Sequence, residues 1–134
     1  MSLQLLDYFF TILHLLIIGA NLFAWICPRT RKIHLYIVGA TLFCWLILGI
    51  RYGIGYCPIT DWQWQVKTKL GETDLPNSFV KYYLDKLVGR DIADTTVDVI
   101  TLISFLVAIV CSVKVNFFNK AASQKARRLY FDRK

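Results

Sequence analysis

Histidine is the side chain best suited to ligate a metal or haem, to move a proton near neutral pH, or to hold two hydrogen bonds at once. This chain has two, His14 and His34. Both belong to apolar runs in which the few polar residues are regularly spaced. In the first run Asp7, Thr11, His14, Asn21 and Trp25 follow one another at intervals of four, three, seven and four, which a helix turns to one face. His34, Thr41, Cys44 and Arg51 share a face of the second run, and Asp94, Asp98, Thr101 and Cys111 a face of the third. An ionisable group at mid-helix in a membrane costs about 2.5–3.5 kcal/mol on insertion scales. Three apolar helices with one polar stripe each are therefore expected to turn those stripes together, and the groups in such a seam mark function by default.

The helices fix how deep each group lies. Crossing a hydrocarbon core of about 30 Å takes about 20 helical residues. Residues 8–26, 33–56 and 95–118 meet that need, in a chain of 134 residues that is 56% hydrophobic and only 19% charged. The expected fold is an all-α membrane protein, one bundle over residues 1–118, with each span a continuous helix because an unpaired backbone group in lipid is expensive. The six residues CPRTRK join the first two spans as a tight antiparallel turn. No basic residue precedes the first span and no small-x-small cleavage pattern follows it, so it is expected to stay in the mature chain rather than act as a signal peptide.

Lys and Arg set the orientation. Three lie in residues 28–32 and seven in residues 114–134; the 57–94 loop has five against six acids, and the segment before the first span has none. This bias puts the N-terminus and the 57–94 loop outside and the turn and the basic 119–134 tail in the cytoplasm. The net charge of +7 thus belongs to membrane flanks, and nucleic acid is excluded as a partner. The bilayer itself is the first partner, with the tail lying on the anionic inner leaflet.

The 57–94 loop is rich in aromatics. Asp61 is placed to cap a short helix on which Trp62, Val66 and Leu70 recur every four residues. Asn77 or Ser78 is placed to cap a second, with Phe79, Val80, Tyr83, Leu84, Leu87 and Val88 on one side, Lys81, Asp85 and Lys86 on the other, and Gly89 at its end. Both are expected to lie at the outer membrane–water boundary, over the mouth of the bundle.

Counted at about 1.5 Å per residue from the turn, His34 lies roughly 7 Å deep and His14 roughly 23 Å. The gap of about 16 Å is far beyond what two metal–nitrogen bonds of about 2 Å can bridge. No shared metal is expected, and a b-type haem would need a single histidine ligand or a partner's. No cofactor is expected. His34 beside Lys32 reads as interfacial. The predicted polar cluster is His14, Arg51 and Asp98 beneath the outer mouth, with Asp7 at its rim and Asn21 further along the same stripe. Cys27, Cys44, Cys57 and Cys111 match neither a disulfide framework nor a zinc pattern.

His14-Leu15-Leu16, His34-Leu35, Cys57-Pro58-Ile59-Thr60 and the Phe79–Leu84 segment FVKYYL resemble a bacterial family of small multi-pass inner-membrane proteins of unknown function. The resemblance covers roughly residues 5–120, and the Cys-Pro-x-Thr step is its most specific element. It implies a bacterial inner-membrane location and family positions at His34, Cys57, Pro58 and Thr60. This chain departs from it twice: Gln63 and Gln65 stand where the family usually has a glutamate, and Tyr82 where it tends to have a histidine. No Ser-His-Asp, metal-ligand or phosphate-loop pattern is present, which argues against an enzyme. The sequence favours a non-catalytic accessory or scaffold subunit of a larger membrane complex, with a membrane-protein partner or a second copy. The alternative is a binding module for a small ligand, lipid, quinone or b-type haem at the outer cluster.

Overall fold

The computed structural model describes residues 2–53 and 55–118, and all the regular structure among them is helical. The basic tail expected over 119–134 lies outside the described residues. Three helices are long and apolar enough to cross a membrane: α1 (Leu3–Phe23), α2 (Arg31–Tyr52) and α5 (Asp94–Phe118). Between α2 and α5 come two shorter helices, α3 (Pro58–Lys69) and α4 (Phe79–Val88). The turn joining α1 to α2 marks one end of the bundle, the turn end; α3 and α4 cover the other, the loop end.

Each boundary has a local cause. The Ser2 hydroxyl accepts the Leu5 amide at 3.2 Å and starts α1, as an N-cap residue does. The helix stops at Phe23, short of the apolar run's end, because the turn folds back on it: the Thr30 hydroxyl bonds the carbonyl of Ala24 (2.6 Å) and Arg31 Nε that of Trp25 (3.3 Å). These are carbonyls a helix end leaves without intrahelical partners. α2 carries a π-helical turn at Cys44–Leu48 and ends at Tyr52, not near Tyr56, because Gly53 takes φ +108°.

α3 begins four residues earlier than an Asp61 cap would place it. Cys57 is extended (φ −127°, ψ 117°) and Pro58 occupies the first helical position, where its fixed φ suits the helix and its missing N–H is not needed. Asp61 is left inside the first turns, accepting Gln65 Nε2 at 3.1 Å. α4 starts as expected, with the Ser78 hydroxyl accepting the Lys81 amide, and ends with left-handed Gly89 at φ +71°.

The faces that α3 and α4 bury differ from those their apolar residues suggest. On α3, Trp62 and Leu70 are exposed while Thr60, Gln63, Val66 and Lys67 are buried. On α4, Leu87 is 84% exposed and Val88 is exposed, whereas Phe79, Lys81 and Tyr82 are buried. Both helices turn polar groups inward because polar partners wait there: Asp7 and Thr11 on α1 for α3, and Asp91 and Asp94 for Lys81. A buried charge is tolerated when paired and hydrogen-bonded.

The polar stripes turn inward only in part. On α5 the buried residues are Val97, Phe105, Ala108, Ser112 and Asn116, while Asp94 and Asp98 are exposed. Phe105 meets Trp45 of α2 with ring centroids 5.0 Å apart. At the turn end a polar knot joins α1, α2 and α5. His34 is fully buried rather than interfacial. Its Nε2 donates to the Asn21 carbonyl at 2.7 Å, so its Nδ1 accepts the Ser112 hydroxyl at 2.8 Å. The Asn21 side chain donates to Thr41 Oγ1 (3.1 Å) and to the Ile17 carbonyl (3.0 Å). Asn116 Nδ2 reaches the carbonyls of Arg31 (3.1 Å) and Ser112 (2.9 Å).

Candidate functional site

At the loop end α3 lies along the first turns of α1. Gln63 is wholly buried between them. Its amide nitrogen donates to Asp7 Oδ1 and to Thr11 Oγ1, both at 2.9 Å. The Thr11 hydroxyl donates to the Asp7 backbone carbonyl at 2.9 Å, so the Tyr83 hydroxyl, 2.6 Å away, is the donor in that pair. Asp7 accepts only, which fixes the Gln63 amide with nitrogen toward α1 and leaves its Oε1 buried without a partner.

One turn along, Lys67 reaches Asp7 Oδ2 and Glu72 Oε1, each at 3.0 Å. The Tyr82 hydroxyl donates to Glu72, and Lys86 to that hydroxyl. Burial alone lowers the Lys67 ammonium, but the hydrogen bonds it donates to Asp7, Glu72 and Tyr82 outweigh it and raise the group above the usual lysine range. Burial likewise pushes Glu72 up, and the bonds from Tyr82 and Lys67 pull it below the ordinary carboxylate range. Two carboxylates and two ammonium groups thus compensate one another. On the far side of α4, Lys81 binds Asp85 (2.9 Å), Asp91 and Asp94 (3.2 Å) and fastens the loop to the start of α5.

His14 lies beneath this network, 7% exposed. Its ring stacks on Phe79 with centroids 4.0 Å apart and planes 5° from parallel. Nε2 faces the Cys57 sulfur at 3.9 Å. Nδ1 is buried and has no partner. Among the described residues, His14 Nδ1 and Gln63 Oε1 are the only buried side-chain polar atoms without one.

Of the residues singled out from sequence, Asp7, His14 and Cys57 lie at this end of the bundle, Asp7 bonded to Gln63 and Lys67 and His14 facing Cys57. Pro58 starts the helix that carries the rest, and Thr60 is buried on its inner face. The expected grouping with Arg51 and Asp98 does not form. Both are exposed, and neither makes a hydrogen bond or ion pair with His14 among the described residues. Helical periodicity put them on the same faces as His34 and Thr101, but α2 ends just beyond Arg51, and the first turn of α5 turns Val97 inward instead. Asn21 and His34 belong to the turn-end knot. Thr11, Gln63, Lys67, Glu72, Phe79, Tyr82 and Tyr83 complete the loop-end site and were missed as its members. Gln63 and Tyr82 carried a signal, standing where the resembled family has other side chains.

Residues 4–117 match the family described as Protein of Unknown function (DUF2784). The chain belongs to that family. No curated protein and no solved structure matches the chain. The family match spans α1 to α5, so both the loop-end site and the turn-end knot fall within it. No group of three or more His, Cys, Asp or Glu side chains among the described residues is arranged to hold a metal ion.

Proposed function

We propose that this protein is a membrane-embedded binding module whose loop-end site takes a small uncharged group presenting one hydrogen-bond donor and one acceptor. A hydroxyl or amide fits, as on a quinol head or a lipid headgroup. The observation that carries this reading is the pair of unpartnered atoms, Gln63 Oε1 and His14 Nδ1. A buried polar atom left unsatisfied costs about 1–3 kcal/mol, and such atoms in an otherwise satisfied network mark where a ligand or water belongs. Gln63 Oε1 can only accept; with the Cys57 thiol donating to Nε2, the ring proton lies on Nδ1, which donates. Because Asp7, Lys67, Glu72 and Lys86 neutralise one another, the site has no charge to offer an ion.

The protein sits in a bacterial inner membrane with its N-terminus and residues 57–94 outside and its tail in the cytoplasm, supported by the Lys and Arg distribution. α3 and α4 lie at the outer boundary, which the exposed Trp62, Leu87 and Val88 support. The site therefore lies on the outer-leaflet side of the bundle. Amine labelling of intact cells is expected to reach Lys69 and not Lys125; labelling of both from one side ends this orientation.

The binding test is thermal. In detergent, a short-chain quinol is expected to raise the melting temperature of the native chain, and Gln63→Leu or His14→Phe to abolish that rise, while Asn116→Ala keeps it. Equal loss in Asn116→Ala refutes the site. The purified protein is expected to be colourless, with no haem band.

A second reading, an accessory subunit of a membrane complex or a homo-oligomer, draws on α1, whose apolar window is only 6% buried. Leu5, Ile12, Leu16 and Phe23 are exposed along it. Co-purification of a stoichiometric partner in mild detergent supports this reading; a stable monomer alone defeats it.

A further inference from the structure

The geometry points to Cys57 as a nucleophilic thiol, with His14 as its base, that accepts an acyl group from an activated ester or thioester. Three observations converge. First, Cys57 Sγ and His14 Nε2 are 3.9 Å apart, within sulfur hydrogen-bond reach, which is how a nucleophile and its base are recognised. The imidazole is not free to swing away, being 7% exposed and stacked flat on Phe79. Second, Cys57 stands at the N-terminus of the twelve-residue α3, and no side chain caps that end. Pro58 has no N–H, and the Asp61 amide is taken by the Cys57 carbonyl at 3.1 Å. The amides of Ile59 and Thr60 bond no side chain among the described residues. Free first-turn amides beside a nucleophile are the donors a tetrahedral oxyanion needs. Third, His14 Nδ1 is buried and unpartnered. With the thiol donating to Nε2, Nδ1 carries the ring proton, so Nε2 is the basic nitrogen that faces the sulfur.

The step balances without a redox partner. His14 Nε2 takes the proton from Cys57 Sγ, and the sulfur bonds the acyl carbon. The carbon–oxygen or carbon–sulfur bond to the leaving group breaks, and the imidazolium returns its proton to the departing alkoxide or thiolate. The product is a Cys57 thioester. Cys27 is exposed and Cys44 and Cys111 are half-buried; none of them faces a histidine, so Cys57 alone has this pairing among the described residues. The inference goes beyond the binding reading and needs no quinol or headgroup bound.

The test uses the full chain in detergent with p-nitrophenyl octanoate, and in a second arm a thioester of the same acyl chain. The expected result is release of one equivalent of nitrophenolate, with the octanoyl mass on the Cys57 peptide. Cys27 should react at least about tenfold more slowly, and Cys27→Ser should leave the burst intact. Cys57→Ser is expected to abolish the burst. His14→Ala should slow it by on the order of 100-fold, a usual contribution for a positioned base, and added imidazole should restore it. Rescue by imidazole is a readout a merely structural histidine would not give. The faster donor, ester or thioester, identifies the natural one. Acylation of Cys57 no faster than Cys27, or at the native rate in His14→Ala, overturns the proposal; the melting temperatures of the variants show whether a slow rate comes from a chain that has lost its fold.

Discussion

At the turn end both nitrogens of His34 are taken, by the Asn21 carbonyl and the Ser112 hydroxyl, whereas at the loop end His14 meets one thiol and leaves its second nitrogen bare. The two residues are the same type, both buried, on adjacent helices. The knot around His34 joins three helices with every buried side-chain polar atom bonded; such a network rigidifies a bundle and asks for nothing more. The cluster around His14 is also rich in bonds, but two of its atoms have none. Satisfaction, not burial or residue type, separates a histidine that fastens helices from one that offers chemistry.

The contrast can be broken most forcefully at the fastening end. His34→Ala strands the Asn21 carbonyl and the Ser112 hydroxyl together, and at about 1–3 kcal/mol for each lost partner is expected to lower stability by about 2–5 kcal/mol, read from unfolding in mixed micelles. A loss below about 1 kcal/mol would place His34 with His14 as a spare group. Next in size is Lys67→Met, which leaves Asp7 without a cation at 16% side-chain exposure and Glu72, at 35%, with Lys86 as its remaining cation. Breaking a fully buried pair costs about 3–5 kcal/mol; with this exposure about 2–3 kcal/mol is expected, and the double variant Asp7→Asn/Lys67→Met should recover part of it.

Acid sharpens the comparison from another side. Glu72 and Asp85 are held below their ordinary values, Glu72 by Tyr82 and Lys67 against the opposing effect of burial, Asp85 chiefly by Lys81 and then by the Ile92 amide. A carboxylate lowered on folding stabilises the fold above its unfolded value, about 4, and loses that contribution as pH falls through the lowered folded value. Melting followed from pH 7 to pH 3 should therefore fall below about pH 4, and Glu72→Gln should flatten the fall. The smallest effect belongs to Gln63→Leu. It removes an unsatisfied oxygen along with the bonds to Asp7 and Thr11, so stability should change by about 1 kcal/mol or less, even as the quinol-induced rise in melting temperature disappears. Arg51→Ala and Asp98→Asn, both at exposed positions, should fall within about 0.5 kcal/mol of the native chain.

The spans were legible because their signal is long and redundant: about 20 apolar residues admit few alternatives, and α1, α2 and α5 lie within a few residues of the expected limits. Ser78 and Gly89 were legible for a different reason, as capping chemistry is local. The inner faces of α3 and α4 were not. Periodicity assigns the buried face to apolar residues, and here Gln63, Lys67 and Lys81 point inward because of carboxylates distant in sequence, Lys67 toward Asp7 and Lys81 toward Asp91 and Asp94. The same blindness misplaced His34, whose partner Ser112 lies 78 residues away. His14 was found, since a histidine well inside an apolar run is costly wherever its partners lie. Its neighbours across the site, Phe79 and Cys57, needed the tertiary structure.

Trp64, Tyr82 and Pro76 close the gap between α3 and α4. Indole Nε1 donates to the Pro76 carbonyl at 2.5 Å, and the Trp64 and Tyr82 rings lie 5.2 Å apart. The strand of chain they span, around Thr73 and Asp74, is exposed and holds only a bond between those two side chains. On either side, α1 to α3 and α4 to α5 are stitched by His14 on Phe79, Thr11 with Tyr83 and His34 with Ser112. Severing the backbone at that point leaves those contacts in place, so the two fragments, expressed together, are expected to reassemble.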